Sequence, residues 1–169
     1  DQTRGWFYTL HALGSFVGTL HDEGLAGDEP AYRTCLVNGL VLDKDGVKMS
    51  KRLGNAVDPF QTIEEHGCDP LRWYMITNAQ PWDNLKFDAA GIDEVTRKFF
   101  GTLYNTYSFF ALYANVDGFT YEIGEVPVEE RPEIDRWIIS LLNTLIKDVK
   151  AEYENYEPTR AARLIQDFV

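Results

Sequence analysis

Lys48-Met49-Ser50-Lys51-Arg52 places three cations in five residues, between Gly46 and Gly54. An ammonium on a flexible stem suits the charge that spreads over phosphate oxygens during transfer. A basic run bounded by glycines can fold over an anion, which makes Lys48 and Lys51 the candidates for phosphate chemistry. On charge alone, a solvated basic turn explains the same run, because short basic stretches are common. The remaining candidates offer less. His11, His21 and His66 lack metal-like spacing, and solvated or capping roles suit each; His66 falls at a helix C-terminus. Cys35 and Cys68 are too few for a disulfide framework or a four-ligand zinc site, so no metal site is expected and the setting reads as reduced and cytoplasmic.

The elements that must position the basic loop are legible on both sides of it. Thr34 to Leu42 is a nearly continuous apolar run, the pattern of a buried parallel strand. Asp43-Lys44-Asp45-Gly46 is a turn with Gly46 suited to positive φ, and Val47-Lys48-Met49 is a short return segment. Before the strand, Trp6, Phe7, Leu10, Leu13, Val17 and Leu20 are spaced as one helix over Arg4 to Leu20, with Gly14 and Gly18 allowing close packing. After the loop, Asp58-Pro59 and Asp69-Pro70 each read as a cap followed by a first-turn proline. The first of these helices stops at Gly67 and the second near Asn78. One long strand cannot make a sheet, so the rest of the sheet is expected in a longer parent.

The character changes after Phe87. Asp88 can cap a long helix bearing Ile92, Val95, Phe99, Leu103, Phe110 and Ala114; a loop follows from Val116 to Arg131. Ile134, Trp137, Ile138, Leu141, Leu145, Val149 and Tyr153 make the next helical stripe, and Glu157-Pro158 opens a third helix. The fold class is therefore α/β over residues 1–85, followed by an all-α bundle over 86–169. Arg72 and Trp73 are placed to pack one half on the other. The cluster Phe99, Phe100, Tyr104, Tyr107, Phe109 and Phe110 reads as core and domain interface.

Composition narrows the function. The 169 residues are 44% hydrophobic and 25% charged, which excludes general disorder. No apolar run approaches the roughly 18 residues needed to span a bilayer. The net charge of −11 is shared between the halves, −5 over residues 1–85 and −6 over 86–169. Neither half is a basic nucleic-acid module, so any polyanion contact must be made by a few placed cations. The chain opens on Asp1 without a Met and closes on Phe168-Val169 inside a helical pattern, so it reads as a piece of a longer protein.

Lys48-Met49-Ser50-Lys51-Arg52 resembles the Lys-Met-Ser-Lys-Ser loop of class I aminoacyl-tRNA synthetases, with Arg52 in place of the last serine. Asn38-Gly39-Leu40-Val41-Leu42-Asp43 before it and Leu53-Gly54-Asn55-Ala56-Val57-Asp58-Pro59 after it fit the same pattern. So does Gly67-Cys68-Asp69-Pro70-Leu71-Arg72, where the family has a Gly-Ala-Asp-Ala-Leu-Arg helix start. The opening Asp1-Gln2-Thr3-Arg4-Gly5-Trp6-Phe7 is similar to the isoleucyl enzymes more than to the valyl or leucyl ones. The resemblance runs the whole length, its helical half being similar to that family's anticodon-binding domain.

The resemblance implies a Rossmann-type catalytic domain ending in the phosphate loop, then the first helices of the anticodon-binding bundle. It implies ATP, with Mg²⁺, together with isoleucine and tRNA(Ile) as substrates, no membrane, and a monomeric parent. In the family the second loop lysine, here Lys51, stabilises the triphosphate as the α-phosphate is attacked, and Lys48 assists. Val47, Lys48, Met49 and Ser50 lie along the ATP. Asp1 and Gln2 match positions that hold the aminoacyl-adenylate, and Trp6 matches an aromatic of the isoleucine pocket; a core aromatic on the first helix would look similar. Arg160 and Arg163 could meet tRNA backbone, although a solvated face explains them better. The His-x-Gly-His element of the class I ATP site occurs nowhere in the chain, so the isolated chain is expected to be inactive. The alternatives are a fragment of a valyl- or leucyl-tRNA synthetase, or a non-catalytic tRNA- or protein-binding helical module.

Overall fold

The computed structural model describes residues 4–20, 31–122 and 124–169, with backbone alone at 18–20. The chain divides into two compact units, Asp1–Val37 and Asn38–Val169. In the first, helix α1 spans Trp6–Leu20, as its apolar spacing predicts. Phe7 meets Tyr32 at 5.6 Å between ring centroids. A Cβ on Gly14 would stand 2.8 Å from the Ala31 Cβ, so the expected close packing at this glycine is present.

In the second unit, β1 (Val41–Leu42) pairs in parallel with β2 (Leu85–Lys86), in the register Val41 to Leu85 and Leu42 to Lys86. Leu85 N donates to Leu40 O at 2.9 Å and Phe87 N to Leu42 O at 2.8 Å. The strand expected over Thr34 to Leu42 is thus reduced to its last two residues. A strand buried on both faces needs neighbours along its whole length, and among the described residues β2 meets only its end. Leu36, Val37 and Leu40 are correspondingly exposed. β2 itself has too few residues to show alternation in sequence.

The helices that follow keep to the sequence pattern with two departures. Asp58 caps α2 (Pro59–His66), its Oδ1 accepting from Phe60 N at 2.8 Å. α3 runs over Cys68–Asn78, but its cap is Gly67 rather than Asp69. Asp69 lies inside the first turn, where it suits the dipole and accepts from Arg72 at 3.2 Å. Pro70 is tolerated there because first-turn N–H groups have no intrahelical partner. Asp88 caps α4 (Ala89–Val95), accepting from Ala90 N at 3.0 Å. The long helix expected from Asp88 onward is interrupted by a π-turn at Thr96–Phe100 before α5 (Gly101–Val116). α6 (Glu133–Glu154) and α7 (Pro158–Phe168) complete the chain.

The core gathers Leu71, Tyr74, Leu85, Phe87 and Ile92, with Met49, Met75, Ala79 and Val95 packed against it. The Tyr74 hydroxyl is its polar centre. It donates to Lys86 O and accepts from Asn78 Nδ2 and Asp88 N, each at 3.0 Å. Burial raises the pKa of this phenol. α7 docks at the C-terminal end of α3: Thr159 Oγ1 donates to Ala79 O at 3.0 Å, and the Arg163 guanidinium donates to Thr77 O at 2.8 and 3.0 Å. Cations are favoured there because the last helical carbonyls lack intrahelical donors.

The aromatic cluster divides. Phe99 is buried and stacks on Trp73 at 4.3 Å and 4° between planes, with Phe100 edge-on to Trp73 at 6.4 Å. Trp73 therefore joins the halves as expected, while Arg72 is exposed and pairs within its own helix. Tyr104, Tyr107, Phe109 and Phe110 are 58–70% exposed, contrary to a core assignment. α5 and α6 bury no residue fully, so the expected bundle closes only where α7 covers the later part of the α6 stripe.

Candidate functional site

The loop after β1 is built from the backbone outward. Asp43 N donates to Val47 O at 2.9 Å, Gly46 N donates to Asp43 O at 2.9 Å, and Lys48 forms an antiparallel bridge with Leu42. Gly46 sits at φ 83°, the positive-φ turn its position predicts. Asp43 Oδ1 accepts from Val47 N at 2.7 Å and from Asp45 N at 3.1 Å. The loop then tightens over Ser50 to Gly54: Leu53 N donates to Ser50 O and Oγ, both at 3.2 Å, and Gly54 N donates to Lys51 O at 3.3 Å.

Met49 turns inward onto the core, whereas Lys48, Lys51 and Arg52 are exposed. Among the described residues, neither Lys48 nor Lys51 has a carboxylate partner within ion-pair distance. Two exposed ammoniums three residues apart in the chain, without counter-ions among the described residues, have the chemistry to receive an oxyanion.

Two residues outside the basic run hold it. Asn55 Oδ1 accepts from Ser50 N at 2.9 Å, and its Nδ2 donates to Asp43 Oδ2 at 2.8 Å and to Lys48 O at 3.4 Å. The Asn55 hydrogen bond, then that from Val47 N, holds the Asp43 carboxyl below the ordinary carboxylate range against a small opposing effect of burial. The sequence places Asp43 in a turn and leaves Asn55 as one more polar loop residue. The signal for both is that they fall in the flanking segments, Asn38 to Asp43 and Leu53 to Pro59, that share the resemblance of the basic run.

The other candidate residues fall elsewhere. Trp6 lies in the first compact unit and is 66% exposed. Asp1, Gln2 and His21 lie outside the described residues. His66 ends α2 as expected, and its Nδ1 stands 2.9 Å from Asp93 Oδ1 on α4. Arg163 is spent on the α3 terminus, and Arg160 lies 3.7 Å from Glu157. Among the described residues no group of three His, Cys, Asp or Glu side chains is arranged to hold a metal, and no helix is long and apolar enough to cross a membrane.

Comparison with known proteins places this geometry. Residues 135–169 match the anticodon-binding domain of tRNA ligases. The chain is 68% identical over its whole length to an isoleucine–tRNA ligase of Bacteroides fragilis, 64% to that of Porphyromonas gingivalis and 60% to that of Cytophaga hutchinsonii. It spans 14% of the length of each. Among solved structures it is similar to the agnB2 LeuRS of Agrobacterium radiobacter K84 in a ternary complex with tRNA and LeuAMS. That likeness has a TM-score of 0.67 at 26% identity, over 90% of this chain and 19% of the other. Residues 1–88, the part that carries the clasped loop, match the model of the class I tRNA synthetases for I, L, M and V, and the chain belongs to that family.

Proposed function

We propose that this chain is a segment of an isoleucyl-tRNA synthetase, joining the end of the catalytic domain (residues 1–85) to the start of the anticodon-binding bundle (86–169). The observation that carries the reading is the loop itself, an ordered turn presenting Lys48 and Lys51 outward with no internal counter-ion among the described residues. The identities of 60–68% to isoleucine–tRNA ligases favour isoleucine over leucine.

In the proposed reaction an oxygen of the isoleucine carboxylate attacks the α-phosphorus of ATP. The bond to the bridging oxygen breaks, pyrophosphate leaves with its electron pair, and isoleucyl-adenylate remains; the isoleucyl group then passes to tRNA(Ile). Mg²⁺ enters with ATP as part of the substrate. Lys51 neutralises charge developing on the leaving phosphates and Lys48 assists. The backbone of Val47 to Met49 lies against the adenosine, with Ser50 beside the phosphates. Asp1, Gln2 and Trp6 serve the aminoacyl-adenylate. No covalent enzyme intermediate is needed, and catalysis is positioning plus charge stabilisation. The setting is the cytoplasm and the parent a monomer.

The test is isoleucine-dependent ATP–pyrophosphate exchange by the full-length synthetase carrying Lys51→Ala. The rate constant should fall about a hundredfold or more, the scale of losing one well-placed charge-stabilising donor, with the KM for isoleucine little changed. A wild-type rate overturns the assignment. The 169-residue chain alone, lacking a His-x-Gly-His element, should show no exchange above background; measurable exchange would refute that half of the proposal.

A further inference from the structure

We infer that Asn55 is a positioning residue for the phosphate loop, its carboxamide and the Asp43 carboxylate together setting the backbone from which Lys48 and Lys51 reach a triphosphate. This rests on the assignment of the loop to ATP phosphates.

The geometry leaves little freedom in the arrangement. Ser50 N is a donor, so the Asn55 atom facing it must be oxygen; the Asp43 carboxylate and the Lys48 carbonyl are acceptors, so the atom facing them must be the NH2 group. Both amide hydrogens and the amide oxygen are engaged, on partners five, seven and twelve residues away. Asp43 binds the turn before the cations through Asp45 N and Val47 N, and Asn55 binds the backbone of the cationic run from its far side. Lys48 to Lys51 are thus strung between two side chains that touch each other, while Met49 pins the middle of the run to the core.

The lysine side chains themselves are exposed and held by no carboxylate among the described residues. What orients them before ATP arrives is therefore the backbone that the clasp holds. Ordering that backbone in advance removes a cost that ATP would otherwise meet on binding and in the transition state.

The experiment compares Asn55→Ala, Asn55→Asp and the exchanged pair Asp43→Asn/Asn55→Asp in the full-length synthetase, by ATP–pyrophosphate exchange. Asn55→Ala should lower kcat about tenfold or more, as expected for misplaced charge-stabilising groups, with the isoleucine KM within twofold. Asn55→Asp should be as slow, because it sets two carboxylates against each other and has no donor for Lys48 O. The exchanged pair restores the side-chain bond with its donor reversed and keeps the acceptor for Ser50 N, so it should recover at least threefold over Asn55→Asp. Wild-type kcat in Asn55→Ala overturns the inference. So does an exchanged pair no faster than Asn55→Asp, or a loss of kcat matched by weakened isoleucine binding, which marks general disruption. Lys51→Ala, run alongside, separates the two readings. If it is slow and Asn55→Ala is normal, only the clasp fails; if Lys51→Ala is normal, the loop assignment has failed first.

Discussion

The clasp around Asn55 and the hub around Tyr74 are two polar networks of similar size set at different depths. Each joins segments of the second compact unit through three hydrogen bonds of one side chain. The Tyr74 hub is buried, with Phe87 edge-on to its ring at 5.8 Å. Asn55 is half-buried, among exposed neighbours. The Tyr74 side chain is the more deeply buried of the two, so losing a hub bond costs more of the desolvation penalty than losing a clasp bond. The hub should therefore govern stability, and the clasp the placement of charge at little cost in stability, about 0.5 kcal/mol or less on removal.

The largest effect expected from the hub comes from a residue that makes none of its bonds. A Cβ on Gly91 would lie 2.3 Å from the Tyr74 Cε2 atom and 3.1 Å from its Cζ atom. Gly91→Ala must displace the ring, which strains the packing and also pulls the hydroxyl away from Asp88 N and Lys86 O. The opening free energy of this region should fall by about 3 kcal/mol. Hydrogen exchange at the Phe87 and Asp88 amides of the full-length protein measures it. Unchanged protection would mean that α4 can shift freely and that the hub is not rigid.

Tyr74→Phe is the milder version of the same test. Lys86 O keeps Asn78 Nδ2 as a donor at 3.2 Å, so the group left without a partner is Asp88 N. One orphaned donor costs about 1–2 kcal/mol, and the loss should appear as faster exchange at the α4 N-terminus with the phosphate loop unaffected. A matching loss of protection at Val47 or Ser50 would break the separation between hub and clasp.

The same contrast separates what the sequence carries from what it hides. Asp58-Pro59, Asp88 and Glu157-Pro158 mark helix starts with residues one to three positions apart, and all three starts stand where the pattern puts them. The cationic run is equally local, a cluster of side-chain types that needs no fold to be noticed. Asp69 fails as a cap because Gly67, two residues earlier, supplies the break, and α3 begins before the Asp-Pro pair. The pairing of Val41 with Leu85, and of Arg163 with Thr77 across 86 residues, is invisible to periodicity because both depend on how distant segments meet. The strand over Thr34 to Leu42 and the aromatic core of α5 fall short of their sequence pattern for one reason: apolar spacing shows that a face wants cover, and the described residues supply that cover only in part.

The smallest effect is the sharpest test of the clasp, because it follows a single proton. The Asp43 carboxyl is held below the ordinary carboxylate range, with Asn55 the leading cause. A depressed folded-state pKa means that the folded loop binds its proton less readily than the unfolded chain does. The contribution of this carboxylate is therefore present above the ordinary carboxylate range and is lost as pH falls through the depressed value. Around neutral pH the loop should show no titration from this group. The amide resonance of Val47, whose N–H donates to Asp43 Oδ1, reports the proton directly in full-length protein labelled at valine nitrogen. Its inflection should lie below that of an ordinary aspartate, and Asn55→Ala should move it upward, since the strongest of the bonds that favour the charged form is gone. An inflection that stays put in Asn55→Ala would show that Val47 and the turn hold Asp43 unaided, and the clasp would then be two independent contacts and not one device.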